Sequence, residues 1–145
     1  MYKHILLPTD GSELSERAAR EAVIFAKSIN AHLTALHTTP VFSGTQLGGH
    51  SMYERVLEYK ERSERAAQQA LNAIEQIGRA VEVTVNTVHR ASDNPWEVII
   101  AVAQGLGCDL IFMASHGRRG INALLMGSET SKVLIHTKIP VLVWR

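Results

Sequence analysis

The sequence predicts an α/β fold in which helices cover both faces of a five-stranded parallel sheet. Short strand-like runs alternate with longer amphipathic segments in the order β-α-β-α-β-α-β-α-β. Residues 4–7 and 110–113 are short, largely apolar runs, which are typical of central strands buried on both faces. Because parallel strands need crossover connections, each helix is expected to join two strands in a right-handed sense.

Length and composition limit the class of protein. The chain has 145 residues, 46% hydrophobic and 20% charged, and we expect residues 1–145 to form one domain. Its net charge of +1 gives no basic surface for nucleic acid, and no apolar run approaches the roughly 18 residues of a membrane-spanning helix. No signal peptide is recognisable, and the single cysteine, Cys108, suits packing, so a cytoplasmic location is expected.

The first predicted elements are a central strand over residues 4–7, a loop over residues 8–12 and a helix from about Ser12. Glu13 and Glu16 occupy the first turn of this helix, where acidic side chains interact favourably with the helix dipole. One apolar stripe recurs at helical spacing and should pack on the sheet: Leu14, Ala18, Ala22, Phe25 and Ile29.

The second strand is predicted over residues 32–38 and a long helix over residues 51–77. Between them, residues 39–49 contain Pro40 and several glycines without periodicity, which predicts a long loop. The inner face of the long helix is expected to consist of Val56, Ala67, Ala70, Leu71, Ile74 and Ile77.

Residues 81–87 alternate between apolar and polar side chains, which predicts a third strand with one solvated face at an edge of the sheet. The next helix is predicted to begin at residues 93–95, because proline suits a first helical turn. It should end at residues 105–107, which contain two glycines. Trp96 lies on its apolar side and is interpreted as a packing residue.

The remaining elements are a fourth strand over residues 109–114, a glycine-rich loop, a short helix to about His136 and a last strand over residues 140–144. The first and fourth strands are the most apolar and should be central, although the sequence does not decide which strands are neighbours. We expect the strand order 3-2-1-4-5, which agrees with their central position. This order brings residues 8–12 beside the glycine-rich loop, at the carboxyl end of the sheet where α/β proteins bind ligands.

The loop after the fourth strand has the chemistry of a phosphate site. Glycines at 117, 120 and 127 let the backbone approach a ligand closely, because they lack a β-carbon. Ser128 is predicted as the N-cap of the following helix, whose first N–H groups carry the positive end of the helix dipole. The same residues are also compatible with a turn and a cap that bind nothing, and local chemistry does not decide between these interpretations.

The spacing resembles the nucleotide-binding signature of the universal stress protein family, Gly-x2-Gly-x9-Gly-Ser/Thr. Nine residues separate Gly117 from Gly127, and Ser128 follows, so the second half of the signature matches in full. The first glycine of the signature falls on Ala114, where this chain departs from it.

The resemblance covers nearly the whole chain. Residues 5–12 are similar to the family's opening strand and loop, and residues 140–143 to its closing strand. It implies the Rossmann-like, doubly wound form of the fold, with helices on both faces of the sheet.

The resemblance also implies a site for ATP, ADP or AMP, with Mg²⁺ bound through the phosphates. The ribose hydroxyls would donate to Asp10, backbone near Thr9 and Thr38 would contact the adenine, and amides at the helix start would hold the phosphates. The cofactor-binding residues implied in this way are Pro8, Thr9, Asp10, Thr38, Ala114, Gly117, Arg118, Gly127, Ser128 and Glu129.

Several of these positions have a second interpretation. Asp10 also suits a helix cap. Arg118 and Arg119 either reach phosphates or form a solvated loop tip. His37 and His116 are either proton-transfer groups or hydrogen-bonded structural residues.

The sequence offers no pair of nucleophile and base. Ser115 and His116 are adjacent, and at a strand end their side chains should point in opposite directions. A Gly-x-Ser-x-Gly elbow, metal-ligand spacing of His or Cys and a Walker lysine are all missing. We therefore expect no dedicated enzyme, and at most slow ATP hydrolysis.

Three functions are considered. The first is a nucleotide-responsive regulatory or stress-protection protein, in which the bound state sets the shape of residues 39–50. The second is a dimeric interaction module of the same fold without nucleotide binding, motivated by Ala114. The third, a phosphoacceptor receiver domain, fits poorly, because receivers need an acidic pair after the first strand and Asp10 stands alone. The third strand would also need to end in an aspartate, and residues 87–89 contain none.

The last strand, residues 141–144, is apolar and lies at an edge in the predicted order. A bare apolar edge favours pairing with another chain. Many proteins that this chain resembles are homodimers joined there, so a two-fold homodimer through this strand is expected.

Overall fold

A computed structural model describes residues 1–44, 51–117 and 126–145. Within these residues, five parallel strands form one sheet in the order β3-β2-β1-β4-β5, which confirms the predicted fold class and strand order. The strands are β1 (His4–Thr9), β2 (His32–Thr39), β3 (Val85–Ala91), β4 (Leu110–Ala114) and β5 (Val141–Trp144). The helices are α1 (Glu13–Ile29), α2 (Met52–Ala80), α3 (Pro95–Gly105) and α4 (Ser128–His136).

Alternate residues of the central strands point to opposite faces of the sheet. In β1, Ile5 and Leu7 belong to the core beneath α1 and α2, whereas Leu6 belongs to the core beneath α3 and α4. In β4, Phe112 and Met113 divide between the two faces in the same way. Burial on both faces explains why these strands are apolar without alternation. The segments that follow β1 and β4 therefore start from the buried centre of the sheet.

At the amino end of the sheet, Asp109 joins the starts of β1 and β4. Its carboxylate accepts hydrogen bonds from the backbone N–H groups of Lys3 at 2.8 Å and His4 at 3.0 Å. Burial by itself raises the pKa of Asp109, but these two N–H groups, its own N–H and the charge of His4 together more than offset burial and hold the pKa below its ordinary value. The sequence gives no sign of this contact, because Lys3 lies 106 residues away along the chain.

The predicted bounds of the third strand are wrong, since β3 spans Val85–Ala91 rather than residues 81–87. The residues just before β3 belong to the turn that ends α2, because the N–H of Val83 donates to the carbonyl oxygen of Gly78 at 2.9 Å. Glu82 adopts a left-handed φ of 61° in this turn. The first part of the alternating pattern therefore belongs to a turn that ends a helix, although β3 does lie at the edge of the sheet.

The prediction that Val56 faces the core is also wrong. Val56 is 39% exposed, and its neighbours Met52, Tyr53 and Leu57 are exposed as well. The buried residues of α2 all lie in its second half: Ala67, Leu71, Ile74 and Gly78. With 29 residues, α2 is roughly 43 Å long, far longer than the strands on which it packs, so its first half extends beyond them. No helix in the described residues, α2 included, has both the length and the hydrophobicity needed to cross a bilayer.

The other bounds differ from the predictions by a few residues. β1 continues to Thr9, so Pro8 and Thr9 are strand residues rather than part of the predicted loop. β2 continues to Thr39, and Ser51 caps α2. The predicted loop over residues 39–49 lies partly outside the described residues.

Cys108 lies in the core immediately before β4. It is 5% exposed and belongs to the same cluster as Leu6 and Ile111. Burial and, to a smaller extent, the nearby charge of Asp109 raise the pKa of its thiol to about 11. The thiol is therefore protonated at neutral pH, in keeping with a packing role.

Candidate functional site

The residues directly after β1 and β4 meet at the carboxyl end of the sheet. Asp10 comes directly after β1, and Gly117 follows the end of β4. The two residues are in contact, because a β-carbon added at Gly117 would collide with Oδ2 of Asp10. Glycine at this position therefore permits a close approach between the backbone and a carboxylate.

The side chain of Asp10 shapes the turn between β1 and α1. Its Oδ1 accepts a hydrogen bond from the N–H of Ser12 at 3.0 Å, and Gly11 between them has a φ of 74°. The N-cap of α1 is Ser12, whose hydroxyl accepts the N–H of Ser15. The interpretation of Asp10 as the helix cap is therefore wrong.

The predicted adenine-contacting residues lie at the ends of β1 and β2. Pro8 and Thr38 are half-buried strand residues. Thr9 is 7% exposed, and its hydroxyl donates to the hydroxyl of Ser15 at 3.0 Å and accepts the N–H of Gly11 at 3.2 Å. The hydroxyl of Thr9 thus forms its hydrogen bonds with residues at the start of α1.

Two hydrogen bonds join the first turn of α4 to the end of β4. The N–H of Gly127 donates to the carbonyl oxygen of Ser115 at 2.7 Å. The hydroxyl of Thr130 donates to the carbonyl oxygen of Ala114 at 3.0 Å. A β-carbon at Gly127 would lie 2.9 Å from Cα of His116, so this packing requires glycine. The start of α4 is therefore fixed beside Ala114 and Ser115, at the end of β4.

The N-cap of α4 is Gly127, so the prediction of Ser128 as the cap is wrong by one residue. Ser128 is the first helical residue and is exposed. The first backbone hydrogen bond of this helix start runs from the N–H of Ser131 to the carbonyl oxygen of Gly127. Within the described residues, the N–H groups of Ser128, Glu129 and Thr130 have no acceptor. Three such donors at the positive end of a helix dipole form a candidate anion site.

The carboxylate of Glu129 is turned toward α3. Its Oε2 accepts the backbone N–H of Trp96 at 2.9 Å, and its Oε1 lies 3.2 Å from Nζ of Lys132. The N-cap of α3, Asn94, makes no side-chain cap hydrogen bond. Glu129 therefore supplies the cap of another helix. Sequence reasoning missed this role, because a glutamate in a first helical turn resembles an ordinary partner of its own helix dipole.

The expectation that Ser115 and His116 point apart is wrong. Oγ of Ser115 lies 3.0 Å from Nδ1 of His116, which is hydrogen-bond distance. β4 ends at Ala114, so the strict alternation of strand side chains no longer applies to these two residues. The pair is adjacent to Gly117, at the candidate site.

His37 and His89 lie on neighbouring strands, with ring centroids 6.2 Å apart. Nε2 of His89 is 2.9 Å from Oγ1 of Thr39. His37 is 7% exposed, which supports its interpretation as a structural residue.

Trp96 is half-buried against the core beneath α3 and α4, and its ring centroid lies 4.5 Å from that of His136. This position supports its interpretation as a packing residue.

Ala114 and Arg118 complete the set of predicted residues. Ala114 is 9% exposed and belongs to the core beneath α1 and α2, together with Phe112. Its methyl group is therefore part of the core packing. Arg118 and Arg119 lie outside the described residues, as does Gly120.

Several known proteins resemble this chain in sequence and fold. The model of the universal stress protein family matches residues 1–145. A universal stress protein of Thermus aquaticus is 34% identical over 146 residues, covering 100% of both chains. Universal stress protein MJ0577 of Methanocaldococcus jannaschii is 31% identical over 157 residues, covering 99% of this chain and 94% of the relative. The solved structure of MJ0577 matches with a TM-score of 0.84 at 30% identity, covering 99% and 95% of the two chains.

Two further solved structures contain adenine nucleotides. One is a universal stress protein in complex with cAMP, with a TM-score of 0.68 at 21% identity, covering 99% of this chain and 97% of the other. The other is a universal stress protein of Archaeoglobus fulgidus in complex with dAMP, with a TM-score of 0.65 at 20% identity, covering 99% and 98%. At these identities the likeness shows a common fold. Sequence, fold and family model agree, and the chain belongs to the universal stress protein family.

Proposed function

We propose that this chain is a cytoplasmic universal stress protein, one domain over residues 1–145, with a nucleotide-responsive regulatory or stress-protection role. It binds an adenine nucleotide, ATP, ADP or AMP, at the carboxyl end of the sheet between β1 and β4. The cAMP and dAMP complexes of two proteins with this fold support the choice of adenine nucleotides.

One observation carries the proposal: three backbone N–H groups at the start of α4 lack acceptors in the described residues, beside the loop in which Gly117 meets Asp10. Such donors bind phosphate oxygens without the help of a lysine. The exposed hydroxyl of Ser128 adds a further donor at the same helix end.

Within this proposal, the carboxylate of Asp10 accepts hydrogen bonds from the ribose hydroxyls, and the backbone near Pro8, Thr9 and Thr38 contacts the base. Arg118 is a candidate phosphate ligand. The described residues contain no group of three or more His, Cys, Asp or Glu that could hold a metal ion. Mg²⁺ at this site would therefore be held by the phosphates and water rather than by a protein cage.

Isothermal titration with ATP, ADP, AMP and adenosine tests the proposal. We expect the three phosphorylated ligands to bind more tightly than adenosine, because only they use the N–H groups of α4. Chromatography of an acid extract of the purified protein would show whether nucleotide copurifies. No heat with any nucleotide at millimolar concentration would contradict the proposal.

A second function, a dimeric interaction module without nucleotide binding, is motivated by Ala114 in place of the signature glycine. The burial of its methyl group in the core favours the nucleotide-binding proposal instead. The variant Ala114→Gly separates the two functions. If this variant binds nucleotide and the natural chain does not, the interaction module is the better description.

We also propose a homodimer in which two copies of β5 meet. β5 is an edge strand of the sheet, and all four of its residues are partly exposed. Unpaired edge strands favour pairing with another chain. Sedimentation at tens of micromolar protein should give a dimer, and a monomer would contradict this assignment.

A further inference from the structure

We propose that the carboxylate of Glu129 sets the ligand preference of the site by charge, disfavouring each additional phosphate. This inference rests on the proposed function and adds a specificity-determining residue to it. The backbone N–H of Glu129 is one of the three candidate phosphate donors, whereas its side chain places a negative charge in the same helical turn.

The structure holds this charge in place. Oε2 accepts the N–H of Trp96 at 2.9 Å, and Oε1 lies 3.2 Å from Nζ of Lys132. The Glu129 side chain is 37% exposed, so solvent screens it only in part. Both oxygens therefore have partners other than the N–H groups at the start of α4, and these N–H groups have no acceptor within the described residues.

The fixed charge has a consequence for the ligand. A phosphate held by the N–H groups at the start of α4 would lie at the helical turn that carries the Glu129 side chain, and like charges separated by roughly one helical turn repel each other. The repulsion is absent for adenosine, present for AMP and larger for ATP. Lys132 offsets part of it, because its ammonium group pairs with the same carboxylate.

The variants Glu129→Gln and Lys132→Met test this inference by shifting affinity in opposite directions. Glu129→Gln keeps an oxygen that accepts the N–H of Trp96 but removes the charge. We expect it to bind AMP about threefold and ATP about tenfold more tightly than the natural chain, with adenosine unchanged. Lys132→Met should weaken binding in the same order of ligands. Glu21→Gln, an exposed change in the middle of α1, serves as the matched control with no effect.

The titrations are made with EDTA and without Mg²⁺, so that the phosphates keep their charge, at an ionic strength of about 0.02 M. Raising the salt to about 0.5 M should reduce every difference between variants, as screening requires. A change of equal size for adenosine and ATP, or weaker ATP binding by Glu129→Gln, would overturn the inference and indicate a structural role. No binding of any ligand by any of the chains would instead remove the proposed function itself.

Discussion

The two ends of the sheet differ in the hydrogen bonding of their backbone N–H groups. At the amino end, the carboxylate of Asp109 accepts the N–H groups of Lys3 and His4 and leaves neither to a ligand. At the carboxyl end, the N–H groups of Ser128 and Glu129 have no acceptor in the described residues. Satisfied polar groups hold the central strands together at one end, and N–H groups without an acceptor in the described residues form the proposed phosphate site at the other. Substitutions at the amino end should change stability, and those at the carboxyl end should change binding.

Gly127→Ala should have the largest effect, because it disturbs the carboxyl end through the backbone. The new β-carbon would lie 2.9 Å from Cα of His116 and 3.3 Å from the carbonyl oxygen of Ser115. We expect nucleotide binding to be lost and the free energy of unfolding to fall by about 2 kcal/mol, the cost typical of overpacking. Titration calorimetry and urea denaturation measure both effects.

Gly105→Ala is the matched control for this variant. A β-carbon at Gly105, the last residue of α3, meets no atom within 4 Å, so the change should stabilise the helix by up to about 0.5 kcal/mol. Equal behaviour of the two variants would show that the packing of Gly127 on His116 does not matter.

Asp109→Ala should remove hydrogen bonds at the amino end of the sheet and leave the carboxyl end unchanged. It removes the acceptor of two backbone N–H groups, and we expect the free energy of unfolding to fall by about 1 to 2 kcal/mol, with nucleotide affinity unchanged. Because folding lowers the pKa of Asp109, its contribution is present above the ordinary value of 3.8 and is lost as the pH falls through the folded pKa. The variant should therefore lose less stability in acid than the natural chain. Reduced nucleotide affinity would contradict the separation of the two ends.

Gly117→Ala should affect binding more than stability. The added β-carbon meets Oδ2 of Asp10, the far end of a side chain that can move, so the free energy of unfolding should change by less than about 1 kcal/mol. The Asp10 carboxylate would have to move away from its proposed position beside the ribose hydroxyls. We therefore expect an affinity loss of about tenfold for adenosine and AMP alike, because both carry the ribose. A loss confined to AMP would assign position 117 to the phosphate instead.

The smallest effect concerns pH at the amino end. Burial and the neighbouring His32 lower the pKa of His4, outweighing the opposite effects of the Leu106 backbone and Asp109. The unfolded chain binds the proton more readily, so His4 should reduce stability as the pH falls below its ordinary pKa of 6.5. Urea denaturation between pH 7.5 and 5 should show a decrease of less than about 1 kcal/mol from this residue. The variant His4→Gln should show a shallower decrease, and an unchanged slope would contradict this assignment.

The sequence predicts the sheet better than it predicts the contacts across it. The central position of β1 and β4 follows from the apolar runs of residues 5–7 and 110–113, because a strand buried on both faces is apolar at nearly every residue. The full strand order needed the family resemblance as well. The glycine spacing likewise marks the loop after β4, since close backbone approaches need glycine. Both signals are local.

Other features depend on partners distant in the chain or on where an element ends. Glu129 caps α3 through the N–H of Trp96, 33 residues away, and no local pattern shows that contact. The alternation near Val83 predicts a strand, but the N–H of Val83 donates to the carbonyl oxygen of Gly78, and this hydrogen bond places Val83 in a turn at the end of α2. Val56 has the spacing of a core residue, yet α2 is longer than the sheet that it covers.

Titration of the ¹⁵N-labelled protein with AMP, followed by NMR, tests the central claim most directly. If the start of α4 binds the phosphate, the amide protons of Ser128, Glu129 and Thr130 should shift downfield on binding, and those of Lys3 and His4 should not move. Adenosine should leave the three α4 amides nearly unchanged. Saturable AMP binding without shifts at the start of α4 would contradict the account.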